Sequence, residues 1–201
     1  MLIYSSPNTR IVTKLYTQKY APTKSSDVPQ QKAVRILKEF ILTHKQQKKK
    51  AAMLYGQAGT CKSSSVYAIA NELNLEVIEV NASDFRNSEQ LELTVGQASK
   101  QQSLFGTGKI ILVDEVDGIS GNKDRGGVPT LASLIAETKF PIVMTANDPW
   151  DSKFSTLRSK SVMIEFEPLD ATTLFTTLKN VCDKEEIIYE EIALKTLCRR
   201  T

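Results

Sequence analysis

The sequence predicts an α/β fold: a parallel five-stranded sheet with helices on both faces, followed by the start of a small helical domain. Three observations carry that prediction. Short apolar runs at 51–55, 76–80, 109–115, 141–148 and 161–166 alternate with helical patterns and polar loops, which is the grammar of βα units. The strongest runs are apolar at consecutive positions, as in Ile110-Ile111-Leu112-Val113, which suits strands covered on both faces. Between the first run and the helix after it stands Gly56-Gln57-Ala58-Gly59-Thr60-Cys61-Lys62-Ser63. It follows the G-x-x-x-x-G-K-[ST] phosphate-loop pattern except at Cys61, where the second glycine belongs.

The totals bound the problem. At 201 residues there is room for one ordinary domain, or one and part of another. A composition of 41% hydrophobic and 24% charged residues allows a sizeable core. No apolar run approaches the roughly 20 residues of a membrane span, so no membrane partner is expected. Met1-Leu2-Ile3-Tyr4-Ser5 lacks the basic head and long apolar core of a secretory signal. Cys61, Cys182 and Cys198 form neither a metal-ligand spacing nor an even disulfide set, which favours a reducing intracellular compartment. A net charge of +3 permits nucleic-acid binding without requiring it.

In chain order, residues 1–14 read as an irregular lead-in, 15–169 as the α/β domain and 170–201 as a partial helical domain, cut short. A helix is expected from about Gln30 to His44, because Ala33, Val34, Leu37, Phe40 and Ile41 recur at helical spacing. His44 at its end reads as solvated or capping, and Lys48-Lys49-Lys50 as a solvated loop before the first strand. Ser63 to Ala70 opens the helix after the phosphate loop. Asn81 to Asn87 is a turn-rich exit from the second strand, with a helix from about Ser88 to Gln101 and a glycine-broken loop at 105–108. The third strand ends in Asp114-Glu115. A loop at 117–127 precedes a helix at about Pro129 to Thr138, with Pro129 suited to a first turn. Helical patterns at Ala171 to Cys182 and Glu190 to Arg199 close the chain.

The chemistry follows from this placement. A phosphate loop needs backbone N–H groups turned inward, a Lys for the β/γ-phosphates and a hydroxyl for Mg²⁺. Gly56, Gln57, Ala58, Gly59, Thr60, Cys61, Lys62, Ser63 and Ser64 are therefore the expected nucleotide-binding residues. Asp114 is expected to join Ser63 on Mg²⁺, and Glu115 to polarise the water that attacks the γ-phosphate. Asn147, at the end of another strand, is placed to bridge that water or the γ-phosphate. If position 61 needs a left-handed backbone, a cysteine there costs about 1–2 kcal/mol, which would weaken binding without abolishing it. Its thiol reads either as buried and inert or as a site of oxidation or alkylation.

Lys19-Tyr20-Ala21-Pro22, Asn81-Ala82-Ser83-Asp84, Asp114-Glu115-Val116-Asp117-Gly118, Asp124-Arg125-Gly126-Gly127 and Thr145-Ala146-Asn147-Asp148 together resemble the AAA+ ATPase module of sliding-clamp loaders. The likeness is closest to the archaeal-type large subunit of replication factor C and runs from about residue 15 to the end. It implies ATP and Mg²⁺ as cofactors and Lys62, Glu115 and Asn147 as the catalytic set. It implies a pentameric complex with small clamp-loader subunits, which opens a ring-shaped sliding clamp and closes it on primer–template DNA. By the same resemblance Val28 and Tyr20 border the adenine. Arg86 and Arg125 either face the DNA backbone or remain solvated loop arginines. The implied location is the cytoplasm of an archaeal or other prokaryote-like cell, or the nucleus of a eukaryotic one.

Departures from the family pattern are also informative. Ser159-Lys160-Ser161 stands where small subunits carry a Ser-Arg-Cys arginine finger, and Lys lacks the forked guanidinium for bidentate phosphate contact. Ala21 stands where the family usually has Arg, and the second sensor arginine is expected just beyond Thr201. The alternatives are a pseudo-ATPase arm of such a complex, or another AAA+ ATPase of DNA repair or recombination.

Overall fold

The computed structural model describes residues 15–82, 108–119 and 127–200. Five strands form a single sheet: β1 (Ala51–Tyr55), β2 (Glu76–Asn81), β3 (Lys109–Asp114), β4 (Ile142–Ala146) and β5 (Ser161–Glu165). Their order is β2-β3-β4-β1-β5, and every neighbouring pair is parallel. The described helices are α1 (Tyr16–Lys19), α2 (Gln31–Thr43), α3 (Lys62–Glu72), α4 (Gly127–Glu137), α5 (Ser155–Lys160), α6 (Ala171–Lys184) and α7 (Glu191–Arg200). The lead-in at 1–14, the helix expected at 88–101, Arg86 and Arg125 lie outside the described residues.

The solid apolar runs are explained by two cores, one on each face of the sheet. In β3, Ile110 and Leu112 join α2 (Val34, Leu37, Phe40, Ile41) and α3 (Val66, Ile69), while Ile111 and Val113 join α4 (Leu131, Leu134, Ile135) with Phe154 and Leu157. Side chains alternate across a strand, so both sets must be apolar when both faces are covered. Each Leu- or Phe-sized residue buried this way contributes about 1.5–3 kcal/mol. The helices on these faces hold the sheet rigid, so its carboxyl edge is a fixed platform for loops.

Several details differ from the expectation. α1 and α5 are too short to show a repeat in the sequence and escape a periodicity search. α4 begins two residues earlier than predicted, at Gly127, which still leaves Pro129 in a first turn, where its missing N–H forfeits no helical bond. The basic run is tied down rather than solvated throughout. Lys50 Nζ donates to the carbonyls of His44 (3.2 Å) and Lys45 (3.0 Å) after α2, and Lys49 Nζ to that of Ser161 (2.8 Å) on β5. His44 behaves as a cap, with its ring nitrogens 3.1 Å from the Ile41 carbonyl and 3.2 Å from that of Lys139.

At the C-terminal side α6 opens on Asp170, whose carboxylate accepts from the Thr173 N–H at 2.7 Å. α6 and α7 pack on each other, but α6 buries no residue and α7 only Leu194 and Cys198. Glu185, just past α6, ties this pair back to the start of the chain by accepting from Lys19 Nζ and the Tyr20 hydroxyl, each at 2.5 Å. Among the described residues no helix is long and apolar enough to cross a membrane.

Candidate nucleotide-binding site

The strand order places β4 between β1 and β3, and their carboxyl ends therefore lie side by side. Tyr55 is level with Ala146, and Val113 with Met144. The loops leaving these strands open onto one cleft, at the edge where open α/β sheets bind ligands. Gly59, Cys61, Lys62, Ser63, Ser64, Asp114, Glu115, Asp117, Thr145 and Asn147 all line it.

The loop after β1 needs glycine at Gly56. Its φ is +143°, and a Cβ there would lie 2.1 Å from the carbonyl oxygen of Phe166. Phe166 is held that close because its N–H donates to the Tyr55 carbonyl at 2.8 Å. Thr60 folds the loop on itself by donating to the Gln57 carbonyl at 2.8 Å. α3 then starts at Lys62, with Cys61 as its N-cap. First-turn N–H groups have no partner within the helix and sit at the positive end of its dipole, which suits an anion.

Cys61 adopts the left-handed conformation, φ 69° and ψ 26°. The conditional cost therefore applies, at about 1–2 kcal/mol. The backbone already holds this conformation in the folded loop, so the cost falls on folding rather than on phosphate binding. The side chain packs against the core on the α2 and α3 side, and burial pushes the thiol's pKa up. A protonated, half-buried thiol is a weak nucleophile, so the inert reading of Cys61 is favoured over the reactive one.

Lys62 is buried, and its ammonium donates to the carbonyls of Gly56 (2.7 Å) and Gln57 (2.8 Å) and to Asn147 Oδ1 (3.2 Å). All three N–H bonds are thus aimed at acceptors at the mouth of the phosphate loop. Burial lowers the pKa of Lys62, while the charges of Asp117, Asp114 and Glu115 oppose that shift.

Ser63 Oγ donates to Asp114 Oδ1 at 2.8 Å, joining the phosphate loop to the end of β3. Mg²⁺ takes oxygen ligands at about 2.0–2.1 Å in an octahedron, which sets neighbouring ligands about 2.9 Å apart. The Ser63–Asp114 pair meets that spacing. The described residues hold no cluster of three or more His, Cys, Asp or Glu suited to a metal. Thr145 organises the acids: its hydroxyl donates to Asp114 Oδ1 and accepts from the Glu115 N–H at 3.0 Å. Glu115 is itself left-handed, φ 54°, and is exposed at the cleft. Non-glycine residues in this region cost of order 1–3 kcal/mol and cluster at functional sites.

The structure thus brings together Gly56 through Ser64, Asp114, Glu115 and Asn147. Tyr20 and Val28 do not line this cleft. The Tyr20 hydroxyl is committed to Glu185, and the Val28 side chain is buried against α2. Two residues with a place in the site carried no assigned role in the sequence reading, Thr145 and Asp117. Their signal lies in the sequence: a Thr inside a buried apolar strand, two residues before Asn147, and a third acid three residues after Asp114.

A phosphate loop, its Lys-Ser pair and an acid pair on one parallel-sheet edge are the arrangement that the P-loop nucleoside triphosphatase class shares. Residues 52–167 match the model of the ATPase family associated with various cellular activities (AAA), and the chain belongs to that family. It is also similar to proteins named replication factor C large subunit. That of Nanoarchaeum equitans is 48% identical over 171 residues, 84% of this chain and 40% of the relative. Those of Staphylothermus marinus and Aeropyrum pernix are each 45% identical over 91% of this chain, covering 44% and 39% of the relatives. The chain spans less than half the length of these curated relatives.

Proposed function

We propose that this chain is the ATPase part of a clamp-loader large subunit. In this reading it binds Mg-ATP at the β1/β3/β4 edge and helps open a sliding clamp for placement on primer–template DNA. One observation carries the enzymatic half: two sets of hydrogen bonds at one sheet edge, one linking Lys62 to Asn147 and the other running from Ser63 through Asp114 and Thr145 to the Glu115 backbone N–H. The similarity to archaeal replication factor C large subunits supports the clamp-loading half.

The residues have distinct tasks. Backbone N–H groups of Gly59 to Ser63 and the Lys62 ammonium bind and orient the triphosphate. Ser63 and Asp114 hold Mg²⁺, which neutralises charge on the phosphate oxygens when bound. Glu115 orients a water and accepts its proton at the carboxylate, and Asn147 holds water and γ-phosphate in line. Residues 15–169 form the nucleotide-binding domain and 170–200 part of a helical lid. The partners are small clamp-loader subunits, a sliding clamp and primed DNA, with Arg86 and Arg125 contacting its phosphates, and the setting is the cytoplasm of an archaeal cell.

The test is ATP-dependent retention of a sliding clamp on primed circular DNA by this chain assembled with small clamp-loader subunits. Loading that needs ATP, and that falls at least about tenfold with Asp114→Ala, supports the proposal. A complex that binds Mg-ATP but neither retains a clamp nor responds to primed DNA points instead to another AAA ATPase of DNA metabolism.

A further inference from the structure

Resting on that ATPase reading, we infer that Asp117 is a positioning residue that sets Asn147 against the Glu115 loop. Asp117 lies in the single 3₁₀ turn Val116–Gly118 that follows Glu115. Its Oδ2 accepts from the backbone N–H of Asn147 at 2.9 Å, across 30 residues of chain and between the ends of β3 and β4. The two loops hold each other at that point. The Asn147 backbone is fixed, and its side-chain oxygen stands 3.2 Å from Lys62 Nζ.

Two further facts separate this from ordinary loop packing. The other carboxylate oxygen, Oδ1, is buried with no hydrogen-bond partner among the described residues. Leaving a carboxylate oxygen buried and unpaired is costly, so stability alone is a poor reason to place Asp here. Asp117 also lines the cleft, together with Lys62, Glu115 and Asn147. A residue that grips Asn147 by the backbone acts on the geometry of Asn147, and through it on the Lys62 contact, without itself touching the scissile phosphate. It follows Glu115 by two residues and holds the Asn147 N–H, and so ties the loop after β3 to the loop after β4.

The test measures steady-state kcat and KM for Mg-ATP in the full chain, together with a thermal melt. Asp117→Ala removes the acceptor, and kcat is expected to fall about tenfold with KM within about threefold. Asp117→Asn keeps an acceptor for the Asn147 N–H and is expected to retain at least about half of kcat. In an Asn147→Ala background, Asp117→Ala is expected to cost no more than about twofold further, because the two residues act as one unit. Should Asp117→Ala fail to fold, Asp117→Ser, too short to reach that N–H, reads the same loss. The inference is overturned by an unchanged kcat in Asp117→Ala, by multiplicative losses in the double variant, or by Asp117→Asn falling as low as Asp117→Ala. A wild-type chain that neither binds nor hydrolyses Mg-ATP instead sinks the ATPase reading itself, and this inference with it.

Discussion

Replacing Cys61 with glycine separates two places where backbone strain can be spent. Cys61 sits at φ 69° with its side chain half-buried against the α2 and α3 core. Cys61→Gly releases about 1–2 kcal/mol of left-handed strain. Against that, glycine adds about 0.5–1 kcal/mol of unfolded-chain entropy, and losing the packed CH₂–S group costs about 0.8 kcal/mol. These terms nearly cancel, so the thermal midpoint is expected to move by less than about 4 °C. The loop is already left-handed before any phosphate arrives, so the Mg-ATP dissociation constant is expected to change less than about threefold. Titration calorimetry with Mg-ATP, run beside thermal melts, measures both. A gain in affinity above about tenfold, worth about 1.4 kcal/mol, with the melt unchanged would contradict this expectation. It would mean that position 61 leaves the left-handed region in the free protein and pays its strain on binding.

Two other perturbations probe different parts of the fold. Thr145→Val removes the hydroxyl that Asp114 and Glu115 share, leaving the Glu115 N–H without its partner. Urea denaturation is expected to show a loss of about 1–3 kcal/mol, and ATP turnover to fall more than affinity; wild-type turnover in this variant would remove Thr145 from the site. Glu72 accepts from Lys38 Nζ at 2.7 Å and from Ser25, which lower its pKa from the ordinary 4.5 to about 2. A lowered folded-state pKa means that this contribution is complete above pH 4.5 and is lost as pH falls through 2. The urea midpoints of wild type and Glu72→Gln are therefore expected to differ at pH 7 and to converge near pH 2; a difference that persists at low pH would show that the ion pair is not the cause.

Much of the scaffold was legible because burial on two faces writes itself into the sequence as unbroken apolar strands. The phosphate loop and the acid pair were legible for a related reason: their chemistry depends on residues adjacent in the chain at strand ends. The helices α1 and α5 were not, since four and six residues are too few for a repeat. Nor were the links that complete the site. Thr145 to Asp114 and Asp117 to Asn147 each join residues about thirty positions apart, a proximity created by β3 and β4 pairing. The conformation of Cys61 was conditional in the sequence and became definite only with its φ angle. The lysines before β1 looked solvated because local composition does not reveal that carbonyls at the ends of α2 and β5 await donors.

In the proposed function, Glu115 activates water at an Mg-ATP site built by β1, β3 and β4. Glu115→Gln keeps the side chain's size and removes its basicity. The decisive measurement is ATP hydrolysis by this variant in the assembled complex with clamp and primed DNA, alongside Mg-ATP affinity by calorimetry. Affinity within about threefold of wild type and turnover lowered about 10²–10⁴-fold are expected. Turnover equal to wild type, with nucleotide bound as tightly, would contradict that role for Glu115.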